Sequence, residues 1–205
     1  MSFENPSGIE RISEEMLTYR LLRRYYRNQV RRLALEGHET ALDLGCGGGP
    51  ATRQLAAVLP DGRVIALDTS SYWLAKARSR LGAEPNIVFV QDDVRRAAIP
   101  DASLDLVFVH YVLHDIPAAD RWPTVRALAA KLRPGGRLYI MEPVSAKHGM
   151  PSDEILHLMD AAGLRMLDSR RRGRSAFGAT FVKDPEGAEV PELEEEPGDY
   201  VIEGV

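Results

Sequence analysis

Short β-rich segments alternate with helical segments along most of this 205-residue chain. The β-rich segments have the length of buried strands, and the segments between them space apolar residues by three and four, as amphipathic helices do. The predicted strands are 40–44, 63–67, 87–91, 104–109, 137–141, 164–168 and 176–183, and the predicted helices are 50–59, 71–81, 120–132 and 153–162. Strands joined through helices form parallel sheets with right-handed crossovers. The alternation therefore predicts a doubly wound α/β domain with a mostly parallel seven-stranded sheet, helices on both faces and an antiparallel last strand.

Two terminal segments flank the predicted domain, which spans residues 41–183. Residues 9–35 carry apolar side chains at helical spacing, so we expect residues 1–40 to form a helical segment that closes the active site. Residues 184–205 contain nine acidic residues and no basic residue, a composition typical of a solvated tail. The alternative is that this acidic tail folds back over the basic residues 170–174.

Composition excludes several classes of protein. The chain is 44% hydrophobic and 27% charged, which is typical of a globular domain and not of a disordered or fibrous chain. No apolar run approaches the roughly 18 residues of a membrane helix, and the first residues lack the pattern of a secretory signal. A single cysteine excludes an intrachain disulfide and favours a cytoplasmic protein. The pI of 5.8 argues against a nucleic-acid partner.

A glycine-rich loop follows the first predicted strand. Gly45 and Gly47 allow a tight turn and a close approach of the backbone to a ligand, and the next helix presents its N–H groups there. A dinucleotide fingerprint would have a glycine where Pro50 stands. The carboxylate of Asp43 beside the loop disfavours a pyrophosphate and suits a ligand with ammonium or sulfonium charge.

Three aspartates follow three consecutive predicted strands at intervals of 25 residues: Asp43, Asp68 and Asp93. Because parallel strands end at the same edge of a sheet, these carboxylates are expected to line that edge. Asp68 stands where it could accept from both hydroxyls of a ribose, and Asp93 could accept from the amine of a purine while the Val94 N–H donates to its ring. Aspartates also favour loops for local reasons, but three at this spacing beside a glycine loop favour a ligand site.

These motifs resemble those of the class I, seven-stranded S-adenosylmethionine-dependent methyltransferases. The matching stretches are ALDLGCGGG at 41–49, VIALDTS at 64–70, NIVFVQDDV at 86–94, IPDASLDLVFVHYVLHD at 99–115 and LRPGGRLYIMEP at 132–143. The resemblance implies S-adenosylmethionine as cofactor, with His110 facing its sulfonium. It assigns cofactor binding to Gly45, Cys46, Gly47, Asp68, Thr69, Asp93 and Val94. Many relatives have glycine at the position of Asp92, so the adenine contact could belong to Asp92 instead.

The predicted chemistry lies just after the fourth strand. Methyl transfer is an in-line displacement in which alignment supplies much of the rate, and a base is needed only when the acceptor carries a proton. His110, Tyr111 and His114 are the candidate catalytic residues. The VLHDIP segment at 112–117 is similar to the one that supplies the catalytic histidine of plant-type O-methyltransferases, which makes His114 the candidate base; the alternative is that His114 packs the loop.

Three sets of residues have further possible roles. If residues 110–114 are helical, the two histidines share a face, but no third ligand is evident and we predict no metal site. Tyr19, Arg23, Tyr25 and Tyr26 could reach the cofactor carboxylate or an aromatic acceptor, or they could belong to the core. The arginines at 170–174 could bind an anionic substrate or be solvated.

The leading interpretation is methyl transfer to a small aromatic or lipophilic molecule on oxygen, carbon or sulfur. A methyltransferase for RNA or protein, or a catalytically silent cofactor-binding module, are the alternatives. The fold alone does not separate them.

Overall fold

A computed structural model describes residues 19–145, 148–172 and 175–184 of the chain. Five α-helices lie in these residues: α1 (Tyr19–Arg31), α2 (Pro50–Val58), α3 (Ser71–Leu81), α4 (Ala118–Lys131) and α5 (Ser152–Ala161). The strands are β1 (Thr40–Leu44), β2 (Arg63–Asp68), β3 (Ile87–Gln91), β4 (Leu104–His110), β5 (Leu132–Ser145), β6 (His148–Gly149), β7 (Leu164–Arg172) and β8 (Ala176–Lys183). A short 3-10 turn, Leu113–Asp115, follows β4.

The strands form one sheet in the order β3-β2-β1-β4-β5-β8-β7, and the two-residue β6 pairs with the end of β5. Strands β1 to β5 pair with one another in parallel, whereas β8 is antiparallel to both β5 and β7. This confirms the predicted doubly wound sheet with seven full strands and an antiparallel last strand. The strand order reverses between β1 and β4, and ligands of such sheets bind beyond the carboxyl ends of the strands at this point.

Alternate residues of the central strands belong to two separate hydrophobic cores, one on each face of the sheet. In β4, Val107 and Val109 belong to the core that contains α4 and α5, whereas Leu106 and Phe108 belong to the core that contains α1, α2 and α3. Strand residues alternate between the two faces of a sheet, so a strand that is buried on both faces is apolar along its whole length. The helices therefore cover both faces of the sheet, and a ligand site is expected at the ends of the strands.

The element boundaries differ from the expected ones in a few places. Helix α4 begins at Ala118 although Pro123 lies inside it, and β7 continues to Arg172. Of the predicted helix at 9–35, the described part is α1; residues 1–18 and the acidic tail beyond Asp184 lie outside the described residues. Among the residues placed by the structure, no helix is both long and apolar enough to cross a membrane.

Candidate active site

The glycine loop between β1 and α2 lies at the point where the strand order reverses. Gly45 has a φ of 62°, and a Cβ at this position would lie 2.7 Å from Cγ2 of Val112 in the loop after β4. The φ of Gly47 is 50°, but a Cβ there would meet no heavy atom within 4 Å. Gly45 is thus required for close packing between two loops, whereas the backbone at Gly47 borders open space that a ligand can enter.

Asp68 connects the end of β2 to the glycine loop. Its Oδ2 accepts a hydrogen bond from the Gly47 N–H at 2.8 Å, and its Oδ1 accepts one from the Ser70 N–H at 2.8 Å. The residue is only 4% exposed. Each carboxylate oxygen can accept more than one hydrogen bond. The structure therefore brings the loop and this carboxylate within hydrogen-bond distance of each other.

Two other predicted cofactor contacts flank Asp68. The backbone N–H of Cys46 donates to the Leu67 carbonyl at 3.0 Å, which ties the loop to β2 a second time. The Cys46 side chain is buried, and burial raises the pKa of its thiol. Thr69 is exposed beside Asp68. The Cys46 backbone and side chain are therefore engaged within the protein, whereas the side chain of Thr69 is accessible to a ligand.

Asp43 lies in the interior and not at the surface of the site. Its carboxylate is 2% exposed and accepts a hydrogen bond from Thr52 Oγ1 at 2.6 Å. Burial raises the pKa of Asp43 to about 7; the Thr52 hydrogen bond lowers it, and the charge of Asp68 raises it further. The sequence argument assumed an ionised carboxylate next to a bound cation, whereas this environment disfavours the charged form.

We expect Asp43→Asn to flatten the pH dependence of the unfolding free energy. Because the folded-state pKa of Asp43 lies above its ordinary value of 3.8, its contribution to stability is complete below about pH 4 and is lost as the pH rises through about 7. Asparagine keeps an oxygen for Thr52 and carries no charge. Urea unfolding at pH 5 and pH 8 should show the variant more stable than the parent at pH 8, with Asp61→Asn, an exposed position, unchanged. If the unfolding free energy changes equally with pH in the parent and in Asp43→Asn, the raised pKa of Asp43 is contradicted.

The predicted adenine contacts lie after β3. Asp93 forms a close ion pair with Arg95, whose guanidinium also contacts Asp120, and the Arg95 hydrogen bonds lower the pKa of Asp93. Asp92 accepts a hydrogen bond from the Asp93 N–H at 2.7 Å. The Val94 side chain is 2% exposed and belongs to the core. A purine amine at Asp93 would therefore share this carboxylate with Arg95.

His110, the last residue of β4, contacts two tyrosines of α1. Its Nδ1 is 3.2 Å from the Tyr26 hydroxyl and its Nε2 is 3.1 Å from the Tyr25 hydroxyl. The ring centres of Tyr25 and Tyr26 lie 5.5 Å and 4.8 Å from that of the imidazole, and the ring centre of Tyr111 lies 4.4 Å from it. Tyr111 is 40% exposed and has a φ of 59°. The structure thus brings α1 over the end of β4, where the acceptor was predicted to lie.

Glu142, at the end of β5, was not singled out from the sequence. It is fully buried, its Oε1 accepts hydrogen bonds from the N–H groups of Val112 and Leu113 at 2.9 Å, and its Oε2 lies 2.7 Å from His114 Nδ1. The available sequence signal was a glutamate directly after the apolar run of 138–141. This carboxylate therefore holds the whole turn after β4 in place.

His114 lies between two carboxylates. Besides Glu142, its Nε2 is 3.4 Å from Asp115 Oδ1, and its side chain is 15% exposed. Burial lowers the pKa of His114, but the hydrogen bond and charge of Glu142, with the charge of Asp115, outweigh burial and leave the pKa above its ordinary value. The imidazole is therefore oriented by Glu142 through Nδ1, and its Nε2 lies beside the half-exposed carboxylate of Asp115.

The two histidines do not share a helical face. His110 still belongs to β4, and only Leu113–Asp115 forms a 3-10 turn, because Tyr111 takes a left-handed conformation between them. Each imidazole has its own partners, tyrosines for His110 and Glu142 for His114. Within the described part of the chain, no group of three or more histidine, cysteine, aspartate or glutamate side chains is arranged to hold a metal ion.

Comparisons with known proteins find relatives of this chain among methyltransferases. Residues 41–136 match the family described as a methyltransferase domain. A trans-aconitate 2-methyltransferase of Methylobacterium radiotolerans is 35% identical over 132 residues, which are 64% of this chain and 48% of that protein. The chain thus spans about half the length of this curated relative.

Solved structures share the fold. A SAM-dependent methyltransferase from Aquifex aeolicus superposes with a TM-score of 0.69 at 19% identity, over 87% of this chain and 98% of that chain. The N-methyltransferase NodS from Bradyrhizobium japonicum, in complex with S-adenosyl-L-homocysteine, superposes with a TM-score of 0.66 at 19% identity, over 78% of this chain and 86% of that chain. At these identities the likeness establishes the fold.

Proposed function

Because the chain belongs to the class I, Rossmann-like family of S-adenosylmethionine-dependent methyltransferases, we propose that it transfers a methyl group from S-adenosylmethionine to a small aromatic or lipophilic acceptor. The observation that carries this proposal is the hydrogen bond between Gly47 and Asp68, which joins an open glycine loop to a carboxylate where the strand order reverses. The relative named for trans-aconitate supports a small-molecule acceptor.

The residues at the strand ends fit this cofactor. Gly45, Cys46 and Gly47 would contact its methionine part, and Asp68 with Thr69 would contact its ribose. Asp93 and Val94 would hold its adenine. The loop at Gly47 leaves room for such a ligand, and a carboxylate that accepts from hydroxyls suits a ribose better than a pyrophosphate. When bound, the cofactor supplies a methyl group on a positively charged sulfur.

His110, Tyr111 and His114 would meet the acceptor. His110 is fixed by Tyr25 and Tyr26 and borders the end of β4, so it would position the acceptor. His114 would accept the proton of a hydroxyl acceptor through Nε2, because Glu142 already engages its Nδ1. In this role Glu142 resembles the aspartate of a Ser-His-Asp triad, which orients the catalytic histidine through its Nδ1.

Calorimetry with S-adenosylmethionine, S-adenosylhomocysteine and NAD tests the cofactor assignment. We expect low-micromolar binding of the first two and none of NAD. Asp68→Ala should weaken binding by about 1.5 to 3 kcal/mol, the range for hydrogen bonds to a charged group. The matched control is Asp61→Ala, an exposed aspartate before β2.

The outcomes separate the alternatives. Tight binding of NAD without binding of either sulfur ligand would overturn the assignment. Cofactor binding with no methyl transfer to any small molecule or RNA or protein would identify a silent cofactor-binding module. We place the activity in the cytoplasm, since the only cysteine is a buried free thiol.

A further inference from the structure

A cavity of about 350 Å³ lies between α1 and the sheet, next to the proposed acceptor site. Its size is within the range of small-molecule pockets. Residues of α1 and of three strands line it: Tyr25, Gln29, Arg32, Leu33, Tyr139, Met141, Asp168, Arg170, Arg171, Gly178, Ala179 and Thr180. The function proposed above assigns no role to this space.

The strand register connects the cavity to the end of β4. His110 pairs with Met141, Met141 with Gly178, and Gly178 with Arg170, so these four residues form one row across β4, β5, β8 and β7. Neighbouring strands are about 4.8 Å apart, which places the Cα atoms of His110 and Arg170 roughly 14 Å apart. The side chains of His110 and Arg170 take up part of this distance, and the space that remains between them has the length of a small molecule.

Gly178 makes room for the Met141 side chain in the middle of this row. A Cβ at Gly178 would lie 2.5 Å from Cε of Met141, so a larger residue would displace the methionine. The row therefore has a polar group at either end and the apolar Met141 side chain at its centre.

One face of α1 forms the roof. Tyr25 and Gln29 are spaced by four residues and lie on the same side of the helix, and Arg32 follows directly after its last residue. Tyr25 contacts His110 Nε2 through its hydroxyl, and Gln29 Oε1 accepts a hydrogen bond from the Tyr139 hydroxyl at 2.9 Å. The aromatic residues are thus at the His110 end, and the roof ends in a guanidinium.

The far end of the cavity has an excess of positive charge. Arg170 is half exposed and forms an ion pair with Asp168, with 3.3 Å between Arg170 Nη2 and Asp168 Oδ2. Arg32 forms no side-chain hydrogen bond or ion pair with any residue described by the structure. The two guanidinium groups of Arg32 and Arg170 against one carboxylate favour an anion, and a guanidinium matches the two oxygens of a carboxylate.

We propose that this cavity binds the methyl acceptor and that Arg32 and Arg170 recognise a carboxylate group of that acceptor, at the end away from His110. The inference rests on the proposed function and narrows its substrate class to small aromatic or unsaturated acids. The body of the acceptor lies against Tyr25 and Tyr139, and its methyl-accepting atom lies near the end of β4.

Binding to the full chain saturated with S-adenosylhomocysteine tests this assignment. The probes are trans-4-hydroxycinnamate and trans-aconitate, with 4-hydroxycinnamamide and inorganic phosphate as the neutral and non-carboxylate comparisons. We expect at least one of the two carboxylates to bind, at least tenfold more tightly than the amide and phosphate. Arg32→Gln and Arg170→Gln should each weaken the binding of that carboxylate by about 5- to 30-fold, because each variant loses a charge-assisted hydrogen bond at a partly exposed site.

The matched control is Arg126→Gln, an exposed arginine of α4 on the opposite face of the sheet, which should bind the probes like the parent. All variants should keep the parent affinity for S-adenosylhomocysteine. A parent protein that does not bind S-adenosylhomocysteine at all would refute the proposed function, whereas this inference is decided by the binding of the carboxylate probes. If neither carboxylate binds, if the amide or phosphate binds equally well, or if both cavity variants bind like the parent, the inference is overturned.

Discussion

His114→Ala is expected to lower kcat by about 10²- to 10⁴-fold for a hydroxyl acceptor, with the affinity for S-adenosylhomocysteine almost unchanged. The reason is that a hydroxyl must lose its proton as the methyl group arrives, and the His114 imidazole is oriented for this by Glu142. The measurement is a pair of values for each variant: turnover with an identified acceptor, and cofactor affinity by calorimetry.

The pH profile of the parent gives a second readout of the same role. A base acts in its neutral form, and Glu142 and Asp115 together hold the pKa of His114 above its ordinary value despite the opposing effect of burial. We therefore expect kcat to rise with pH through that raised pKa. The His114→Ala variant should lose this limb of the profile.

Two other histidines serve as comparisons. His157→Ala, exposed on α5, should leave turnover and cofactor affinity at parent values. His110→Ala should lower cofactor affinity as well as turnover, because His110 lies at the strand end itself. Near-normal turnover in His114→Ala would remove the proton-transfer role and leave alignment as the source of the rate, as for a thiol or an activated carbon acceptor.

Glu142→Gln is expected to destabilise the fold by about 3 kcal/mol, the cost of breaking a buried charged network. The parent carboxylate accepts from two backbone N–H groups and contacts His114 Nδ1, whereas glutamine removes the buried negative charge that all three contacts face and keeps only one accepting oxygen. For a domain of this size the melting temperature should fall by about 6 to 12 °C.

The control for this variant is Glu84→Gln, which makes the same chemical change at an exposed residue after α3. Its melting temperature should stay within about 1 °C of the parent, as is usual for surface substitutions. Combining Glu142→Gln with His114→Ala should produce less than the sum of the two separate losses, since the residues share one hydrogen bond. Equal melting temperatures for Glu142→Gln and Glu84→Gln would show that Glu142 does not stabilise the turn.

The sequence by itself determined the sheet and the edge on which the site lies. Apolar periodicity is a local property, so the strands and helices from 40 to 183 could be assigned within a few residues. The carboxyl ends of parallel strands meet at one edge, and Asp68 and the glycine loop could therefore be placed together before any coordinates were known. The observed hydrogen bond between Gly47 and Asp68 agrees with that placement.

Only the tertiary structure decided what each polar group faces. Burial and the Thr52 hydrogen bond of Asp43 depend on how α2 packs, which the spacing of aspartates does not encode. The contact between His114 and Glu142 joins residues 28 positions apart, and that between Tyr25 and His110 joins residues 85 apart. The cavity between Arg32 and Arg170 depends on four strands in register under one helix. Local pattern specifies each element, but its neighbours in space are selected by the packing of the whole chain.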